Sequence, residues 1–266
     1  MVDSKDSADP GIEVRIYFAR GRNALVARAE FSELYAAMYL HRLDCGSGLE
    51  SGTEKLLRDG LAAITLHTAC RPWKETVAWT VNFQSPLANI FVSANNRLGT
   101  VIGNVFTENV KNAPCGLFYA DIVSESSPPR RSVVEFSGEE FFSAVETLYL
   151  QSEQRLARFF RYDEEDVVLV TAQPDVDLEW LRSLDKDAIR RLDKDVELGL
   201  LEMRTYRFEC GCNQDQMLDM LAPVMRNQSE DLFQGEEVIR IHCPRCGARH
   251  TITRESLEAH LARLID

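Results

Sequence analysis

Ile12, Val14, Ile16 and Phe18 alternate with Glu13, Arg15 and Tyr17, the two-residue period of a half-buried strand. The apolar spacing then lengthens, and residues 31–43 read as a helix. After a turn over 46–52, Leu57, Leu61 and Ile64 share one face of a second helix. Ser51 and Glu54 stand at its start in capping-box spacing, and Pro72 closes it. From Thr76 the period returns to two: Val77, Trp79, Val81 and Phe83 alternate, and strands over 87–94, 98–106 and 115–123 follow between Gly and Pro punctuation. Ser137 and Glu140 repeat the capping-box spacing ahead of a long helix whose Phe141, Val145, Leu148, Leu156 and Phe159 fall on one face. Ser152-Glu153-Gln154 interrupt that face and read as a solvated turn of the same helix. A short strand over 167–170 precedes Pro174. Two short helical pieces come next, marked by Leu178, Leu181 and Leu184, then Ile189, Leu192 and Val196, with Leu-Asp-Lys-Asp at both 184–187 and 192–195. Apolar stripes this narrow are marginal alone and must dock on a neighbour.

These periods predict an α+β fold: a meander of mainly antiparallel strands with helices packed on one side. They divide the chain into a flexible N-terminus over 1–11, a mixed domain over 12–172, a helical linker over 173–206 and a small C-terminal domain over 207–266. At 266 residues with 45% hydrophobic positions, the chain can bury a sizeable core. No apolar run approaches a membrane span, and the polar, acidic start lacks the basic and apolar regions of a signal peptide, so no membrane partner and a cytoplasmic location are expected.

Charge sharpens the division. Residues 162–200 hold 12 Asp/Glu against 5 Lys/Arg, an excess of 7 within a formal charge of -12, so self-repulsion concentrates in this stretch, which runs into the linker. Residues 207–266 are also acidic, with 10 Asp/Glu against 7 Lys/Arg. Phosphate backbones need a positive surface, which argues against nucleic acid as a partner.

The chemistry sits in the small domain. Cys210-Gly-Cys212, thirty intervening residues, then Cys243-Pro-Arg-Cys246 form two short-spaced thiol pairs, the pattern of a four-cysteine zinc site. Closing that gap costs about 3 kcal/mol of chain entropy, whereas a structural zinc contributes about 10 to 16 kcal/mol. Gly247 suits the tight turn after the second pair. Asn213, with Gln216 three residues on, reads as a helix N-cap that sets the first pair at the positive end of a helix. Thiols so placed are also open to oxidation, so spacing alone leaves a structural and a redox-sensing site both open. Of the seven cysteines, Cys45, Cys70 and Cys115 stand singly and read as buried or incidental thiols. The odd count fits a reducing compartment.

A module of about 60 residues is near the lower limit of unaided stability, so metal loss should unfold it. The linker would then lose support and expose Trp180, Leu181 and Leu184, apolar surface of the kind that binds unfolded proteins.

The four-cysteine cluster, preceded by Tyr206-Arg207-Phe208-Glu209, and Tyr149-Leu150-Gln151-Ser152-Glu153-Gln154 on the long helix together resemble the heat shock protein 33 family of redox-regulated holdase chaperones. Residues 86–103 resemble that family's sheet segment, and the similarity runs loosely from about residue 12. The resemblance implies a reduced, zinc-bound, inactive monomer with Zn2+ held by Cys210, Cys212, Cys243 and Cys246. It further implies that oxidation pairs Cys210 with Cys212 and Cys243 with Cys246, releases zinc, unfolds the linker and yields a homodimer that binds aggregating client proteins without ATP.

Two other classes compete. A zinc-ribbon regulator with a purely structural metal would need Arg240, Arg245 and Arg249 on one positive face and binding that falls steeply with salt. An enzyme is the weakest reading, because four thiolates leave a zinc no open position. His242 and His250 flank the second pair as turn caps or solvent-facing groups, and no phosphate loop or nucleophile-base constellation is evident.

Overall fold

The first strand forms as its alternation predicts. In a computed structural model that describes residues 11–46, 48, 50–125 and 127–263, β1 (Ile12–Ala19) buries Ile12, Val14 and Ile16 and leaves Glu13 and Arg15 in solvent. The flexible N-terminus expected over 1–11 lies, except for Gly11, outside the described residues. Next in order are β2 (Ala24–Glu30), α1 (Ser32–Asp44), α2 (Ser51–Ala69), β3 (Glu75–Gln84), β4 (Leu87–Asn95), β5 (Thr100–Phe106), β6 (Gly116–Ser124) and β7 (Ser127–Phe136). The chain continues through α3 (Phe141–Gln151), β8 (Ala157–Arg161), β9 (Asp166–Ala172), α4 (Leu178–Ser183), α5 (Lys186–Arg190), α6 (Leu192–Asp195) and β10 (Leu198–Phe208). It ends with α7 (Gln214–Phe233), β11 (Val238–His242), β12 (Arg249–Thr253) and α8 (Arg254–Arg263).

Two units emerge: Met1–Met38 with Leu49–Glu209, and Tyr39–Gly48 with Cys210–Asp266. The first is built on a ten-stranded sheet in the order β7-β6-β3-β4-β5-β10-β1-β2-β9-β8. Every pairing in it is antiparallel except the short parallel register of Arg207 and Phe208 with Thr100 and Val101. The α+β class and the mainly antiparallel sheet therefore hold. α2 is buried from Leu56 to Ala69 except at Arg58 and packs across β4 and β5. A Cβ at Gly60 would meet the Phe141 ring at 3.0 Å and Val92 at 3.1 Å, so a larger residue there would have to push these side chains back from the helix. Beneath it, Trp79 and Phe118 meet edge to face at 5.3 Å, as do Phe83 and Phe136 at 5.2 Å.

Several local expectations are corrected. Neither capping box forms: α2 follows Glu50 and α3 follows Glu140, and neither of those residues makes a side-chain cap bond. α3 ends at Gln151, so Ser152-Glu153-Gln154 stop the helix instead of continuing it. Gln154 adopts a left-handed φ of 54°, Ser152 Oγ donates to Ser132 Oγ at 2.7 Å, and Glu153 pairs with Arg71 at 3.4 Å. Leu156 follows in the connecting turn and Phe159 belongs to β8. Residues 198–206, assigned to the linker on charge and spacing, form most of β10 in the middle of the sheet.

A second apolar cluster covers the other part of the sheet. Leu181, Leu184, Ile189, Leu192 and Val196 pack with Ala24, Val26, Phe160, Val168 and Val170. Asp177 and Asp185 cap α4 and α5, accepting from Trp180 N at 3.0 Å and Ala188 N at 2.7 Å. The first Leu-Asp-Lys-Asp is thus a helix start.

The main core carries one buried histidine. His67 is 1% exposed and its Nδ1 lies 2.7 Å from the Tyr149 hydroxyl. Burial, reinforced by the Arg71 and Arg155 charges, holds its pKa well below the usual histidine value. A depressed histidine favours the folded state above its unfolded pKa and loses that advantage as pH falls. Stability should therefore drop by about 1.4 kcal/mol per pH unit below about pH 6.5. Chemical denaturation of His67→Leu should show that component of the slope removed; an unchanged slope would discount the histidine.

Candidate metal centre

The chain reaches the cluster directly from the end of β10. Gly211, at φ 68°, makes the turn that sets Cys210 and Cys212 side by side. Asn213 Oδ1 then accepts from Gln216 N at 2.9 Å, so the expected cap on α7 is present. Cys243 leaves the end of β11, and the knuckle closes with Cys243 N donating to Ala248 O and Gly247 N to Cys243 O, both at 2.8 Å. Gly247 takes the required left-handed φ of 79°. Ala248 N points at Cys246 Sγ from 3.4 Å, the backbone-amide support a thiolate needs.

All four Sγ atoms lie within 4.8 Å of one another. The bonds across the cluster are Cys210–Cys243 at 3.7 Å and Cys212–Cys246 at 3.6 Å. A tetrahedral tetrathiolate centre with bonds of about 2.3 Å separates its sulfurs by about 3.8 Å, so these residues fit one metal ion. Four thiolates this close repel unless a cation or shared protons intervene. Hydrogen bonding from Cys246 pulls the Cys210 thiol down to about 5, burial pushes Cys212 up to about 12, and the hydrogen bond to Cys210 pushes Cys246 up. Cys243 and Cys246 are 2% and 1% exposed, while Cys210 and Cys212 are half-buried, so an attacking reagent meets the first pair more readily.

Around the cluster, Met217, Leu218, Met225, Phe233, Ile252 and Leu257 form a small core. The same unit includes Tyr39–Gly48, which the sequence did not connect with the cysteines. His41 Nε2 donates to the Cys246 carbonyl at 3.2 Å, and Cys45 Sγ lies 3.6 Å from the same nitrogen. Arg249 Nη2 donates to Gly46 O at 3.4 Å. Cys45 is buried, which pushes its thiol pKa up. The four-residue spacing of His41 and Cys45 puts them on one helix face; no local signal pointed across two hundred residues.

Arg240 and Arg249 share the outer face of the β11–β12 hairpin, and Arg245 is also exposed, but Arg249 is engaged with Gly46. Trp180, Leu181 and Leu184 lie in the first unit. Leu181 and Leu184 are 0% and 4% exposed, and Trp180 is half-buried beside the Arg22 guanidinium at 5.7 Å. Leu181 and Leu184 are core residues and Trp180 packs at the margin of the same cluster. Among the described residues no helix is long and apolar enough to cross a membrane.

Comparison with known proteins bears out the family resemblance. The Hsp33 protein family model matches residues 161–253. The 33 kDa chaperonin of Edwardsiella ictaluri is 22% identical over 236 residues, covering 77% of this chain and 80% of that protein. The 33 kDa chaperonin of a Yersinia pestis strain is 24% identical over 229 residues, covering 73% and 78%. The crystal structure of the 33 kDa chaperonin (heat shock protein 33 homolog) from Thermotoga maritima superimposes with a TM-score of 0.70 at 15% identity, covering 97% of this chain and 99% of that one. That likeness establishes a shared fold.

Proposed function

We propose that this chain, which resembles the heat shock protein 33 family in sequence and in fold, is an ATP-independent holdase whose client binding is controlled by the oxidation state of Cys210, Cys212, Cys243 and Cys246. The observation that carries the reading is the four-sulfur cluster at tetrahedral spacing, set in a unit whose own core is small. Zn2+ suits a closed all-thiolate site; when bound it supplies the dication that holds the sulfurs together and much of the folding free energy around them.

Oxidation by peroxide balances as two disulfides. Each pair of thiolates gives up two electrons to one H2O2, which takes up two protons and leaves as water. Cys210 with Cys212 and Cys243 with Cys246 are the proposed pairs, following the family resemblance. Disulfide sulfurs no longer offer four thiolates, so the metal leaves and the small unit loses its main support. Within the division into 12–172, 173–206 and 207–266, the acidic segment is the part that then opens and presents Trp180, Leu181 and Leu184 to unfolded proteins. A reduced monomer, an oxidised homodimer and a reducing, cytoplasmic home complete the proposal. Nucleic acid has no part in it, and no catalytic turnover is expected.

The test is direct. The reduced protein should carry one zinc per chain. Peroxide with mild heat should release it and raise suppression of aggregation of an unrelated unfolding protein, with no ATP hydrolysis above background. Zinc retained through oxidation with no gain in holdase activity would leave a static zinc ribbon.

A further inference from the structure

Strand β10 lies in the chain between the acidic helices and the first metal-site cysteine, so any signal passing along the backbone between them must cross it. Its two halves are held differently. The upstream half exposes Leu200, Leu201 and Met203 at 52%, 59% and 52%. Its register with β1 shifts between Ile16 and Tyr17. Among the described residues no strand pairs with 198–206 on the β5 side.

The downstream half is fixed at several points. Arg204, 7% exposed, donates from Nη1 to the Arg71 carbonyl at 2.8 Å and from Nη2 to Glu202 at 2.7 Å, and its guanidinium lies 4.3 Å from the Trp73 ring centre. Tyr206, 1% exposed, donates its hydroxyl to Asn96 Oδ1. Asn96 Nδ2 in turn approaches three carbonyls at the end of α2: Thr68 at 2.8 Å, Pro72 at 2.9 Å and Arg71 at 3.3 Å. Arg71 is itself held by Glu75 at 2.6 Å and by Glu153 at 3.4 Å. The Ser-Glu-Gln trio that ends α3 thus supports the same network. Arg207 N and Glu209 N add bonds to Gly99 O and Val101 O at 2.9 and 3.1 Å.

We propose that Arg204 and Tyr206 form a clamp that keeps the downstream half of β10 in the sheet after the metal unit has come apart, so that opening of this clamp, and not metal loss itself, sets when the acidic segment is released. The proposal rests on the redox reading above and assigns its threshold to named residues. Arg204 and Tyr206 are positioning residues: they touch neither the metal site nor a client. Pulling either from the sheet leaves a polar partner unpaired, the Arg71 carbonyl just past α2 or the buried Asn96 side chain just past β4, which costs more than freeing the exposed leucines upstream.

Hydrogen exchange on the full-length zinc-loaded protein, followed after a strong zinc chelator and peroxide are added, tests this. In the wild type, amides of 214–225 should lose protection as zinc leaves, while those of 204–208 persist about tenfold longer. Tyr206→Phe should leave the zinc-release rate unchanged within about twofold yet shorten that lag about tenfold, the factor one buried hydrogen bond supplies. Concurrent loss of protection in 204–208 and 214–225 of the wild type overturns the clamp, as does an unaltered lag in the variant. Should Tyr206→Phe fail to fold, the wild-type order of opening still decides the matter. Absence of holdase activity would count against the proposed function while leaving these exchange rates interpretable.

Discussion

Replacing Cys210 and Cys212 together by Ser is expected to abolish metal binding and unfold residues 210–263 while the sheet unit stays folded. Serine hydroxyls do not substitute for thiolates at a tetrathiolate centre, so the loss is the full metal contribution of about 10 to 16 kcal/mol. The small core around Met217, Leu218, Met225, Phe233, Ile252 and Leu257 cannot offset that. Zinc content near zero, with loss of hydrogen-exchange protection confined to the α7, β11, β12 and α8 region, is the expected result. Two outcomes would sink the modular picture: a small unit that stays protected without metal, or concerted unfolding of both units.

The second large effect falls in the sheet unit. Asp59 on α2 is 1% exposed and forms ion pairs with Arg161 at the end of β8 and with Lys55 at 3.3 Å. Arg161 also donates to Glu164 O at 2.9 Å and lies over the Phe142 ring at 5.1 Å. Arg161→Met keeps most of the packing and removes the charge, leaving the buried carboxylate with only half-exposed Lys55. The cost should be about 3 kcal/mol, the lower end of the range for breaking a buried pair. Asp59→Leu combined with Arg161→Met should recover most of it, because an apolar replacement of both partners leaves no buried charge unpaired. Urea denaturation of the single and double variants gives the comparison, and a single-variant loss below about 1 kcal/mol would show that the pair is solvated.

What the sequence revealed depended on how sharply burial alternates. β3 to β6 were legible because Val77, Trp79, Val81 and Phe83 all face the core. β7 was not: it is the sheet's edge, carries Pro128 and Pro129, and buries only Val134 and Phe136. β2 was hidden by its small alanines. In β10 the exposed Leu200 and Leu201 erase the period, and the acidic residues upstream drew the strand into the linker. The helix over 141–151 was extended too far because Leu156 and Phe159 continue its spacing by coincidence, while Gln154 turns the backbone out of it. The meeting of Cys210, Cys212, Cys243 and Cys246 in one cluster was legible, since four thiols in two tight pairs have few other uses. The contribution of His41 and Cys45 was not, because nothing local records a partner two hundred positions away.

The place of β10 beside β1 bears on how the protein is made. One flank of β1, near the start of the chain, waits for residues 198–206 to emerge from the ribosome. At ordinary synthesis speeds of about 5 to 20 residues per second, that delay is roughly 10 to 40 s. During it the nascent chain carries an unpaired strand margin, open to pairing with other chains before its own β10 arrives.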